Sequence, residues 1–571
     1  MAEVKALLAK IEPEVWILLA LSIFAWGPLL SPAYFFQAHD AQHSIFYVVE
    51  FDQTLRDGFL YPRWSPDFAF GYGYPLFNIY PPLAIYAAEI VHLLGFDIVT
   101  SVKLIYVLAT IASGLTMYGF ATRLFGKKAG LLAGTVYMFA PFHLLEIYVR
   151  SAYAEYVSLA LLPLVLWAFT ELIAAPNIRR MGLAGAAYGL LALTHHSSFF
   201  TFTPFLLLYI LVLVAGKAKL NPLAWLKLAL FNAGAGILGV ALAGIYLIPA
   251  LLEQRFIKIE QWVSGSYNAL EHFVYLSQLF SPAWDYGYSN PGPTDGMSYQ
   301  LGIIVYGLTL ITIVGLIFYG RRIPHRGTVV IFVGAVLLAV WLMLPTAAWV
   351  WATLPMASLV QFPWRLLIIV ILSLSVVVGA FTPIFQPDRT TLTMLSLVTV
   401  LGSYTYAQPQ YTAIPDWADT PLSVVEWDAF SVHDRVGMVS YTAEQPTTSP
   451  MEAQYRAGEP LQVATVLSGD ASVETLRHGG ASDDIKVTGG PATIQFYTYD
   501  YPGWQVRLDG QSLEHRHEPP FGLITVDVPA GEHVLELRMG TTQPRLIGTL
   551  LSVLALLVIG FGLWPRRHKT L

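Results

Sequence analysis

Residues 38–64, AHDAQHSIFYVVEFDQTLRDGFLYPRW, set His39, Asp40, His43, Glu50, Asp52, Arg56, Asp57 and Arg63 directly after an apolar run, Val15 to Leu30. A loop carboxylate such as Asp40 can take a proton from a hydroxyl or hold a divalent cation. Histidine and carboxylate ligands together suit several divalent ions, so His39, Asp40 and His43 could form a metal site for Mg or Mn. The HDAQH spacing fits no fixed metal motif, and hydrogen bonding to a sugar or phosphate is the stronger reading of the two histidines. Glu155 opens an apolar stretch and Glu253 lies just beyond Pro249. An ionisable group at such a boundary is a functional candidate, although a solvated loop acid or a helix cap explains Asp40 or Glu253 taken singly.

Six basic residues accompany them: Arg56, Arg63, Arg150, Arg255, Lys258 and Arg365. Arg150 lies in VRSAYAE and Arg365 in QFPWRLL, each at the mouth of an apolar stretch. One such arginine is explained by snorkelling. Several on one face point to an anionic ligand at headgroup level, and the planar guanidinium fork suits phosphate. His195 and His196 close a short apolar stretch on the same side and read as secondary contacts. YPRWSPDFAFGYGYPLFNIYPP gathers Tyr61, Trp64, Tyr72, Tyr74, Phe77 and Tyr80. It reads either as an interfacial aromatic belt or as a stacking platform for sugar rings, with Gly71 and Gly73 giving backbone freedom.

The elements that must position these groups are membrane spans. The chain has 571 residues, 55% hydrophobic and 12% charged, about half the charged fraction of a soluble domain. It has no cysteine, which removes disulfides, thiolate chemistry and Cys-based zinc sites. No clustered basic face marks a nucleic-acid partner. Apolar runs predict about twelve spans, near 14–31, 101–122, 128–143, 156–174, 182–194, 198–216, 226–249, 300–319, 327–345, 364–384, 390–406 and 546–564. The first reads as a retained helix, since no small-residue cleavage motif follows it.

Every second connection is basic: Lys5 and Lys10; Arg123, Lys127 and Lys128; Arg179 and Arg180; Lys217 and Lys219; Arg321, Arg322 and Arg326; Arg389; and Arg566, Arg567 and Lys569. This is the positive-inside pattern. It predicts a multi-pass protein of the cell (plasma) membrane with both termini cytoplasmic. Residues 80–95, YPPLAIYAAEIVHLLG, are short, open on two prolines and carry Glu89 and His92. They predict a surface helix within one long outer loop, 32–100. Residues 1–406 then form the transmembrane domain. Residues 407–545, with alternating segments such as ATIQFYTYD and HVLELRM, predict an extracytoplasmic β-sandwich. Residues 546–571 supply a last span and a basic tail.

The long first outer loop opening on an acid, then YPRW…GYGYP…YPPL, RLFGKKAGLLAGTVYMFAPFHL and R-S-A-Y-A-E, resembles the GT-C superfamily of membrane glycosyltransferases. More closely, the chain resembles the bacterial and archaeal membrane proteins catalogued as 6-pyruvoyl-tetrahydropterin synthase-related and the neighbouring YfhO-like proteins. QFPWR and YPGWQVRLDG are similar to YfhO-type features. The resemblance implies a polytopic GT-C-like fold and transfer of a sugar from a polyprenyl-phosphate donor to an envelope glycan, lipid or protein on the extracytoplasmic face. It implies that Asp40 is the central acid, acting as base or orienting the acceptor. Glu155 and Glu253 would support it, while Arg150, Arg365 and Arg63 bind phosphate. Many members carry two adjacent acids where this chain has His39–Asp40, which counts against a paired-carboxylate metal site. Two other classes fit the composition, a flippase for lipid-linked saccharide and a non-catalytic envelope scaffold. The nearly uncharged spans and the lack of an inverted repeat favour an interfacial site.

Overall fold

The computed structural model describes residues 12–323, 325–354, 360–431 and 438–564. Lys5, Lys10, Arg566, Arg567 and Lys569 lie outside them. Among the described residues, eight helices are long and apolar enough to cross a membrane: Pro13–Leu30, Ile98–Phe125, Tyr153–Ala174, His196–Ala218, Pro222–Leu242, Arg326–Met343, Pro363–Phe385 and Gln543–Leu563. A ninth is the pair Lys127–Phe139 and Pro141–Tyr148, bent by 43° where Pro141 cannot donate to the preceding turn. The other expected spans are Ile178–Thr194 and Ile303–Tyr319, each of 17 residues, and Arg389–Ser403, of 15. All twelve expected stretches are therefore helical, eight of them long and apolar enough to cross a membrane and a ninth if the bent pair is one span. Residues 80–95 contain an 11-residue helix, Leu83–Leu93, roughly 17 Å long, about half of what the hydrocarbon core requires.

One end of the bundle collects the alternate basic connections. Lys127 pairs with Glu12 at 2.8 Å, Arg180 with Glu171 at 3.1 Å and Arg389 with Glu14 at 3.9 Å. Small residues set the closest helix contacts, as expected where lipid offers no hydrophobic drive. A methyl on Gly189 would lie 2.8 Å from the Gly239 carbonyl oxygen, and one on Gly548 would lie 2.3 Å from that of Gly244. The last helix is thereby pressed against Gly244–Leu252.

The other end carries the long first loop and the sheet. The loop contributes the helices Ala41–Arg56 and Leu83–Leu93. Between them Ser65 and Tyr74 exchange backbone hydrogen bonds, both 2.8 Å. Gly73, at φ +78°, closes this turn against Trp64, whose indole nitrogen lies 2.3 Å from where a methyl would sit. No other residue type fits there.

Strands occupy Ala464 to Met539, a narrower stretch than the expected 407–545. Residues 407–431 and 438–463 instead lie along the first loop. Thr412 bridges Tyr34, Asp428 accepts from the Phe70 amide at 2.9 Å, and the Tyr455 hydroxyl donates to Asp67 at 2.5 Å. The strands, β1 (Ala464–His478), β2 (Ser482–Tyr499), β3 (Trp504–Leu508), β4 (Gln511–Leu513), β5 (Arg516–Glu518), β6 (Leu523–Val528) and β7 (Gly531–Met539), form one antiparallel sheet. Its order is β4-β3-β7-β2-β6-β5, and β1 pairs along β2. β2 changes partner midway: residues 482–489 pair with β7 and 492–499 mostly with β6. Gly489, opposite Ala471, and Gly469, opposite Ala492, both at positive φ, sit at this switch, and β1 carries register shifts there, the usual means of bending a strand.

Sheet, loop and last helix meet in a buried polar network. Arg545 and Glu253, with side chains 2% and 3% exposed, pair at 3.2 Å. Asn78 donates to Glu253 at 2.7 Å and to the Tyr501 hydroxyl at 3.0 Å. Arg63 donates to Asn78 at 3.0 Å and to the Ile245 carbonyl at 3.1 Å. Trp64 meets Trp504 edge-on at 5.1 Å, and Tyr72 stacks on Phe521 at 5.5 Å.

Two measurements check this frame. Arg545→Ala leaves Glu253 buried without its cation and is expected to cost about 3–5 kcal/mol, read as a lower unfolding temperature in detergent. Replacing both partners, Arg545→Met with Glu253→Leu, should recover most of that loss. Glu89 is buried beside Asp52, and burial first, then that carboxylate, pushes its pKa up to about 8 from an ordinary 4.5. The folded chain thus holds this proton more tightly than the unfolded one, so stability falls as pH rises from 4.5 to about 8. Glu89→Gln should remove that fall and leave the protein more stable than wild type above pH 8, with little difference near pH 5.

Candidate active site

At the loop end of the bundle, three chain breaks converge. The backbone of His39 and Asp40 pairs with the segment after Tyr148: the His39 amide donates to the Val149 carbonyl at 3.1 Å, and the Asp40 amide to that of Arg150 at 2.7 Å. Ser151 follows at φ +50°, a conformation that costs a non-glycine residue roughly 1–3 kcal/mol. It is held by the hydroxyls of Tyr106 at 3.0 Å and Tyr34 at 3.3 Å, and its carbonyl accepts from Ser44 at 3.0 Å. The strained turn swings Arg150 inward, where its side chain is 5% exposed.

Arg150 donates to Glu146 at 2.6 Å and to Glu155 at 2.8 Å, and lies 3.9 Å from Asp40. Its guanidinium rests on the Trp364 ring at 4.6 Å. Burial works against the Arg150 charge, but Glu146, Glu155 and Asp40 more than restore it, and the net effect raises its pKa. Arg365 approaches Glu155 at 3.6 Å. It also donates to Gln361 at 2.7 Å, to the Val360 carbonyl at 3.2 Å and to Ser197 at 3.3 Å. Three carboxylates thus face two guanidiniums. Of the five groups Asp40 is the open one, its side chain 44% exposed against 10% or less for the others. Inside, Glu155 Oε1 and Arg365 Nε are buried and make no hydrogen bond. Tyr80 faces the same cluster: burial first, then Asp40 and Glu155, raise the pKa of its hydroxyl.

Asp40, Glu155, Arg150 and Arg365 are therefore brought together. His39 and His43 flank Asp40 without forming a ligand set with it. His39 Nε2 meets the Tyr286 carbonyl at 3.3 Å and its ring stacks on Tyr288, while His43 packs edge-on against Trp427 at 4.6 Å. Burial lowers the His39 pKa, with Asp40 opposing, which favours a neutral ring. Among the described residues no three His, Asp or Glu side chains converge as divalent-metal ligands. The described residues do not fit a protein-held Mg or Mn centre. His195 caps the next helix, its Nδ1 accepting from the Ser198 amide at 3.3 Å. His196 stands beside Tyr80, ring centres 6.4 Å apart.

Four expected site residues lie elsewhere. Arg63 and Glu253 belong to the network that binds the sheet and the last helix. Trp64 and Tyr72, 2% and 4% exposed, are packed against the sheet and present no ring to a sugar. Sequence reasoning treats every charge near a boundary as open to solvent, whereas these find partners more than 150 residues away. Glu146 and Trp364 are the contacts of Arg150 it missed. The i, i+4 spacing of Glu146 and Arg150 was the available signal.

Residues 77–415 match the family model described as "6-pyruvoyl-tetrahydropterin synthase related domain; membrane protein". That stretch includes Arg150, Glu155 and Arg365, and Asp40 precedes it. An uncharacterised protein of Lactococcus lactis subsp. cremoris is 25% identical over 224 residues, 38% of this chain and 34% of its own length. In structure the chain is similar to the arabinofuranosyltransferase AftD from Mycobacteria, with TM-score 0.46 and 16% identity over 73% of this chain and 29% of AftD. It is also similar to ArnT from Cupriavidus metallidurans bound to undecaprenyl phosphate, with TM-score 0.45 and 12% identity over 78% of this chain and 85% of ArnT. The chain spans about a third of the length of the Lactococcus relative and less than that of AftD. Because the family match takes in more than half of its residues, the chain belongs to the 6-pyruvoyl-tetrahydropterin synthase related family of membrane proteins.

Proposed function

We propose that the chain is a membrane glycosyltransferase that moves a sugar from a polyprenyl-phosphate donor to an acceptor hydroxyl at the end of the bundle bearing the first loop. The observation that carries this reading is a half-exposed carboxylate, Asp40, pinned by its backbone beside a buried arginine–glutamate network at the mouths of several spans. The acceptor oxygen attacks the anomeric carbon with inversion as the bond to the phosphate oxygen breaks. Its proton passes to Asp40. The departing lipid phosphate carries the growing charge, and in this reading Arg365, whose Nε makes no hydrogen bond and faces Glu155 at 3.6 Å, stabilises it. Arg150 is a positioning residue in this scheme: its donors already serve Glu146 and Glu155, and its guanidinium stands 3.9 Å from Asp40. The collected basic residues at the opposite end support a cytoplasmic assignment for that end, so the reaction face is extracytoplasmic, in the cell membrane.

The test is transfer from a panel of labelled polyprenyl-phosphate sugars to cell-envelope acceptors by the purified full chain. Asp40→Asn should lower kcat by about 10²–10⁴-fold with unchanged unfolding temperature and donor binding. Donor binding with no transfer by wild type across the panel would sink the enzyme reading and favour carriage of the lipid-linked sugar. A contrasting variant, Arg150→Met, strands buried Glu146, leaves Glu155 only Arg365, and should cost about 3–5 kcal/mol. Its loss of transfer should come with a lowered unfolding temperature, which Asp40→Asn should not show.

A further inference from the structure

On the outer face of the sheet, a cleft of about 440 Å³ is lined by Arg477, Arg507, Arg538, Gln505, Asp484 and Glu536. The register explains why they share it. Arg507 of β3 stands opposite Glu536 of β7, Glu536 opposite Asp484 of β2, and Asp484 opposite Arg477 of β1. Gln505 and Arg538 stand opposite each other on the same face, since side chains alternate along a strand. Two carboxylates side by side in such a row repel, so stability alone does not account for it. Arg477 takes up Asp484 at 2.8 Å and Asp57 at 2.7 Å. Among the described residues the Arg507 guanidinium makes no ion pair or hydrogen bond, although Glu536 stands opposite. Arg538 rests on the Phe59 ring at 5.0 Å, which holds it without a carboxylate. Diagonal neighbours on paired strands lie roughly 7–8 Å apart, close enough for two long side chains to reach one anion.

The surroundings suit a membrane boundary. Arg538 lies shortly before the last helix, Gln543–Leu563, and the Gln505 side chain packs against Gly540, 2.8 Å from where a methyl would sit. Beside Phe59, Leu60 is 85% exposed, and its carbonyl accepts from Tyr86 of the short helix Leu83–Leu93. That helix leaves Ile90 and Leu93 exposed, as a helix lying in the interface does.

We propose that Arg507 and Arg538 form a phosphate site at the foot of the sheet, holding the phosphate of a lipid headgroup or of a soluble phosphate ester between two guanidinium forks. The planar fork matches phosphate oxygens, and basic pockets at a membrane surface bind lipid head groups in this way. The apolar rim at Leu60 favours the lipid as the source. The site is separate from the arginines near Asp40 and does not rest on the transfer reaction.

The experiment is native mass spectrometry of the full chain in neutral detergent, titrated separately with phosphatidylglycerol, with diacylglycerol and with glycerol phosphate. Wild type should retain phosphatidylglycerol well above diacylglycerol, which has the same tails and no phosphate. The double variant Arg507→Gln, Arg538→Gln should weaken that retention by about tenfold at unchanged unfolding temperature. Glu536→Gln removes an anion from the cleft and should tighten retention; unchanged or weaker binding there overturns the site. Glycerol phosphate bound in place of the lipid, with the same dependence on the two arginines, upholds the phosphate site and assigns it to a soluble ester. Neither phosphate compound bound by wild type, or equal binding by the double variant, would overturn it.

Discussion

The charged end of this bundle depends on one requirement: a guanidinium taken out of water at a membrane boundary must find carboxylates. Arg150 finds two, Glu146 and Glu155, from the helices on either side of it. The strained Ser151 turn exists to bring it there. Because both glutamates are consumed, the third carboxylate, Asp40, is left near the guanidinium without being spent on it. Paired buried charges add little to stability in themselves. Their use here is geometric, since they fix where the open carboxylate stands.

The same logic, repeated with different partners, joins the sheet to the bundle. Arg545, Glu253, Asn78 and Arg63 each satisfy another member of the group. The two networks look alike in sequence, a few ionisable residues near the ends of apolar runs. They differ in openness. One ends in a half-exposed acid, and the other closes on itself and on the Tyr501 hydroxyl.

That difference explains what could be read from the residues alone. The helical stretches were legible because apolar runs of spanning length have few alternative structures, and the sidedness of the basic connections was legible because charge avoids lipid. Asp40, Arg150, Glu155 and Arg365 were legible as a group because each interrupts an apolar pattern at the same end. Arg63, Glu253, Trp64 and Tyr72 satisfied the same criterion, yet they serve packing, since their partners come from the sheet and from the last helix. The short strands hid their register behind weak alternation, and residues 407–431 and 438–463 carried no signal that they would lie along the first loop.

The bond between Asn78 and Tyr501 joins residues 423 positions apart. At ordinary ribosomal speed the early loop is complete roughly 20 to 85 s before its partner emerges. During that interval Trp64, Tyr72 and the Arg63–Asn78 pair stand without the surface that later covers them. Newly made chain therefore passes through a stage with spans inserted and an aromatic, hydrogen-bond-hungry loop uncovered. Folding of the sheet and insertion of the helix Gln543–Leu563 end that stage together, so this end of the molecule stays uncovered until both have been made.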